Sequence, residues 1–155
     1  MIKPELGDLS VAQALTAGAT DSTNVIDLQA VNYAGLTDLW IVIDTAVAAT
    51  GDGSDTFDFS VVVSEETTLD TNFEVVAVRI TGYADARLAT AGRHIMALNI
   101  GKMIRDIASS TKRYLGVINT ISDGATLSVN TMVSNSEPPS LYHSQVVTSN
   151  VDLPE

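Results

Sequence analysis

From Thr56 to Ser64 the chain reads Thr-Phe-Asp-Phe-Ser-Val-Val-Val-Ser, which puts Phe57, Phe59, Val61 and Val63 on one side of an extended strand. A period of two suits a sheet with one buried face and gives a helix no face to bury. The same pattern, less clean, predicts strands over Thr23–Gln29, Phe73–Thr81 and Arg93–Ile100. In Phe73–Thr81, Val75 and Ala77 oppose Val76, Val78 and Ile80, so both faces are expected to be partly buried. Asp38–Thr45 is apolar on both sides around Trp40-Ile41-Val42-Ile43, as an inner strand would be. Near the end, Lys112–Ser122 and Thr126–Val133 alternate on either side of Ser122-Asp123-Gly124-Ala125 and predict a β-hairpin.

Between these runs lie turn signals. Ala48–Asp55 is rich in Gly and Asp, Glu65–Asn72 is a polar insert, and Ala84–Ala91 reads as loop or a short helical turn. Met103, Ile104 and Ile107 give Gly101–Ser110 the spacing of a helical turn or capped loop. Residues 1–22, with Pro4, Gly7 and Gly18, read as an N-terminal arm, whose helix-compatible patch Leu9–Leu15 is too short to stand alone. Pro138-Pro139 stiffens a hinge and cannot enter a sheet interior, so 137–155 reads as an extended C-terminal tail. The expected organisation is one domain over 23–136 between two extended arms. Seven or eight valine- and threonine-rich strands make it all-β, an antiparallel β-sandwich or jelly roll.

Composition narrows the function. At 155 residues the chain is long enough to bury about 70% of its unfolded surface as one domain. It has no cysteine, which removes disulfides, thiolate metal sites and cysteine nucleophiles. No apolar run approaches the ~20 residues of a membrane helix, and none follows Met1 at signal-peptide length, so the protein is expected to remain in the cytoplasm where it is made. The net charge of −11 disfavours nucleic acid. Residues 1–75 hold 13 of the 19 acids and one base, Lys3, so one face or end of the fold is expected to be acidic and to suit a basic partner surface.

Chemistry has little to stand on. His94 and His143 are 49 residues apart with no third ligand in sight. Asp52, Asp55 and Asp58 have spacing that a hard cation could use, but Val63 stands where an EF-hand needs a bidentate Glu, and a turn with solvated carboxylates is the plainer reading. There is no Gly-x-Ser-x-Gly elbow, Walker loop or dinucleotide fingerprint. Neither an enzyme nor a cofactor is expected. Trp40 reads as core. Lys112, Arg113 and Tyr114 are too few for a nucleic-acid patch; they fit charges that blunt a strand edge or a rim contact to an acidic neighbour.

Several strings are similar to the jelly-roll capsid cement (decoration) proteins of tailed phages. They are Leu9–Ala17 followed by Ser22-Thr23-Asn24-Val25-Ile26-Asp27-Leu28, then Asp55–Ser64 with its threonine-rich insert and Phe73, then Lys112-Arg113-Tyr114-Leu115. The resemblance spans about residues 9–133, and the tail beyond Pro138 departs from it. It implies a homodimer, with a trimer as alternative, on the outer surface of a virion, stapling neighbouring major capsid proteins without catalytic residues. The candidate interface residues are then Leu9 and Val11 in the first arm and Lys112, Arg113 and Tyr114 at the strand start. In the tail they are Leu141, Tyr142, Val146, Val147, Val151 and Leu153, apolar groups that a monomer would have difficulty burying. The competing expectation is a carbohydrate- or receptor-binding jelly roll of a virion, which would need Trp40 or a tyrosine as an exposed platform.

Overall fold

Among the described residues, β-branched and aromatic residues at alternate positions build nine strands: β1 Glu5–Leu15, β2 Gly18–Asp21, β3 Ile26–Asp27, β4 Trp40–Thr50, β5 Thr56–Ser64, β6 Glu74–Gly82, β7 His94–Asn99, β8 Tyr114–Ile121 and β9 Thr126–Ser134. The computed structural model describes residues 5–28, 38–102 and 112–135. The strands form two antiparallel sheets. One has four strands in the order β1-β9-β4-β7; the other has five, in the order β2-β8-β5-β6 with β3 also on β8. Since β2 and β3 are two pieces of one row along β8, this interleaving is the eight-strand order of a jelly roll.

The core lies between the sheets. Leu9, Leu15, Ile41, Ile43, Val129 and Val133 come from one side, and Phe57, Phe59, Val61, Val63, Leu115 and Val117 from the other. β5 falls on its predicted bounds: Phe57, Phe59, Val61 and Val63 keep one core-facing period, and Val62 and Ser64 are buried on the other face. β4 is an inner strand between β9 and β7, and Val42, on its outward face, is buried as well.

Two expectations are corrected. Residues 5–21 are not an arm: β1 pairs along β9, and Leu9 and Leu15 lie in the core. Three register shifts and a left-handed Ala12 (φ 47°), whose amide donates to Asn130 Oδ1 at 2.8 Å, break the period of two in β1. That irregularity gives Leu9–Leu15 its helix-like spacing. The second correction concerns β8 and β9, which are not a hairpin: β8 pairs with β2, β3 and β5 in one sheet, and β9 with β1 and β4 in the other. Ser122–Ala125 is a corner between sheets, with Gly124 at φ 88° and the Ala125 amide donating to the Ser122 carbonyl. The expected strand Thr23–Gln29 shortens to β3. Of the expected helical turn, 103–110 lies outside the described residues.

The polar insert between β5 and β6 folds back as a cap. Leu69, fully buried at φ 59°, reaches over β8, where a Cβ on Gly116 would lie 2.5 Å from Leu69 Cδ1 and 3.0 Å from Ser22 Oγ. Gly116→Val is therefore expected to destabilise by about 2 kcal/mol through overpacking, read as a lower melting temperature. Leu69→Ala in the same chain should recover part of that loss, and additive losses would rule out this contact as the cause.

Candidate binding surface

The five-stranded sheet turns one face to the core and the other outward, and the pairing register fixes which side chains meet on the outer face. Asp21 lies opposite Ile118, Ile118 opposite Ser60, and Ser60 opposite Val78. In the next outward row Ala19, Thr120, Asp58 and Ile80 follow one another across the same four strands. β6 is the edge strand and packs no further strand beyond it among the described residues. Its outward side chains are accordingly open: Val75 is 46% exposed, Val78 49% and Ile80 61%, with Phe73 at 42% just before the strand. Beside them a groove of about 370 Å³ is lined by Phe73, Val75, Ile118 and Ala19 together with Asp21 and Asp70.

The charge on this face is negative. Asp70 is held below the usual carboxylate range by the hydroxyls of Thr68 (2.7 Å) and Thr71 (3.1 Å). The Asp21 carboxyl is raised, first by burial and then by Asp70. Asp58 accepts from Ser60 Oγ at 3.0 Å. The acids of the N-terminal half thus surround an apolar strip at the β6 edge.

The expected site residues that are described fall elsewhere. Leu9 is core, not interface, since β1 turns it between the sheets. Val11 is 67% exposed on β1, at the edge of the other sheet. Lys112 Nζ donates to Glu74 Oε2 at 2.8 Å, tying the start of β8 to β6. The Arg113 guanidinium makes a two-pronged pair with the Asp27 carboxylate of β3 and lies 5.0 Å over the Tyr114 ring. These basic groups are engaged within the chain. Leu141, Tyr142, Val146, Val147, Val151 and Leu153 lie outside the described residues, as do His143, Tyr33 and the Pro138-Pro139 hinge.

The Gly- and Asp-rich loop serves as a clasp. Asp55 is buried; its Oδ2 accepts the Asp52 amide at 2.5 Å and its Oδ1 accepts the Ser122 hydroxyl at 2.9 Å. Asp52 Oδ1 accepts the Ser54 amide and hydroxyl, and Asp58 lies on the outer sheet face. The loop therefore joins the β4–β5 crossing to the β8–β9 corner, with its three carboxylates directed to different places. His94 Nδ1 lies 3.7 Å from Asp44 Oδ1. Among the described residues no three His, Asp or Glu side chains come together as metal ligands, and no helix is long and apolar enough to cross a membrane. Trp40 and Tyr83 are half-buried, Tyr83 against the core.

The sequence reading missed Phe73, Val75, Val78 and Ile80 as surface. Val78 and Ile80 alternate in sequence, but Val75 joins their face only through the register shift opposite Val61 and Val62, and whether a strand is inner or edge depends on topology that the pattern does not carry.

The described residues thus form a jelly-roll sandwich with an open apolar strip set among carboxylates. The chain is a member of the Bbp16 family, a phage virion protein family, whose model matches residues 9–135, from within β1 to just past β9. No curated protein matches it.

Proposed function

We propose that the protein is a capsid cement or decoration protein that binds the outside of a phage head and staples neighbouring major capsid proteins non-covalently. The family match, which runs from within β1 to just past β9, carries this reading. The surface supports it. An apolar strip among acids offers area and charge to a protein partner, while the buried Asp55 of the Gly- and Asp-rich loop is committed to hydrogen bonds that hold the fold. The protein acts in this reading by binding and not by chemistry, as a homodimer on the virion exterior, without nucleic acid or membrane as partner.

Mixing the purified protein with emptied heads of its phage tests the reading. Co-sedimentation to a fixed, saturable number of copies per head is expected. Protein left wholly in the supernatant at micromolar concentration would refute head binding.

A further inference from the structure

Four apolar side chains more than two-fifths exposed and adjacent on one sheet edge, Phe73, Val75, Val78 and Ile80, form a surface that a monomer gains nothing by displaying. We infer that this β6 side of the five-stranded sheet is the docking surface for a segment of the capsid shell that carries apolar side chains flanked by lysine or arginine. The inference rests on the head-binding reading above and deepens it by naming the face and the chemistry of its partner.

Charge identifies the occupant. Asp21, Asp58 and Asp70 stand beside the apolar strip, and none of the three forms an ion pair among the described residues. The cations nearest β6 are already matched: Arg79 with Asp85 at 3.3 Å and Lys112 with Glu74 at 2.8 Å. What the face offers a partner is therefore negative. A second copy laid face to face would set these carboxylates against their own kind in a chain whose net charge is already −11. A basic segment would instead place its cations between Asp21 and Asp70, whose mutual repulsion is one of the two causes that raise the Asp21 carboxyl. Its apolar groups would cover Val78 and Ile80.

The test uses the full chain and two variants. Val78→Thr with Ile80→Thr keeps β-branched residues on an exposed strand, so the melting temperature should hold while affinity for emptied heads falls about 10-fold. Asp21→Asn with Asp58→Asn and Asp70→Asn should flatten the salt dependence of head binding. If the parent binds heads and the threonine variant binds equally well, the face is not the docking surface and the cement reading stands. If the parent itself fails to bind heads, that reading falls, and a leucine–lysine peptide and its leucine–glutamate counterpart decide the inference. Preference for the lysine peptide, lost in the threonine variant, supports it; no preference overturns it. A threonine variant that stops self-associating in sedimentation velocity yet binds heads unchanged would make the occupant a second copy, which also overturns it.

Discussion

Phe59→Ala is expected to lower the melting temperature by about 12 °C, from a loss of about 4 kcal/mol. Phe59 is fully buried on β5, with Asn119 of β8 and Arg79 of β6 as its cross-strand neighbours. Its ring is one of the two largest in the described core, the other being Phe57 two residues away on the same face. Truncation removes the transfer free energy of the ring and leaves a cavity that the paired strands on both sides keep from collapsing. Against a total stability of about 5–15 kcal/mol this is a large fraction. Since β5 also carries Asp58 and Ser60 outward, heating should abolish head binding of the variant at its own lower transition. Calorimetry on parent and variant checks the size, and a shift below about 3 °C would show that the ring is not the packing centre assigned to it.

Asp85→Ala should cost about 2–3 kcal/mol at neutral pH. Immediately after β6, Asp85 Oδ1 accepts the Arg87 amide (2.9 Å) and Nε (2.8 Å), and Oδ2 accepts Thr81 Oγ1 (2.7 Å), Arg79 Nη2 (3.3 Å) and Arg87 Nη2. Both arginines remain about a third exposed, so solvent screening keeps the figure below that of a fully buried pair. The Arg87 guanidinium, before all other causes, holds the carboxyl well below its ordinary 3.8. A carboxyl lowered in the folded state stabilises above its unfolded value, and the contribution is lost as pH falls through the folded one. The gap between parent and variant should therefore stay constant from about pH 5 to 8 and narrow only below about pH 4. Urea melts across that range check it, and a gap that closed near pH 6 would assign the stabilisation to another group.

How much of this was legible follows from what a local pattern encodes. β5 could be read to the residue because Phe57, Phe59, Val61 and Val63 keep one core-facing period, the register shift at Val61 and Val62 placing its extra residue, Val76, on β6. β1 could not, because its register shifts put Leu9 and Leu15 in the core without strict alternation between them. Ser122–Ala125 was recognisable as a turn, but a turn within a sheet and a corner between sheets use the same residues; Asp55 and Thr56, more than sixty positions earlier, hold this one. The Lys112-Arg113-Tyr114 string reads in sequence as strand-edge charges or a rim contact; in the fold Lys112 and Arg113 pair with Glu74 and Asp27, partners that sequence spacing cannot reveal. The open strip on β6 was hidden for the same reason, since only the strand order makes β6 an edge.

The cement reading is tested most directly by heads with and without the protein. Heads stripped of it and heads reloaded with it, both filled with DNA, should be heated in parallel while DNA release is followed with an intercalating dye. Release at a clearly lower temperature from stripped heads, restored on reloading, is the predicted result. Release at the same temperature from both would contradict the account.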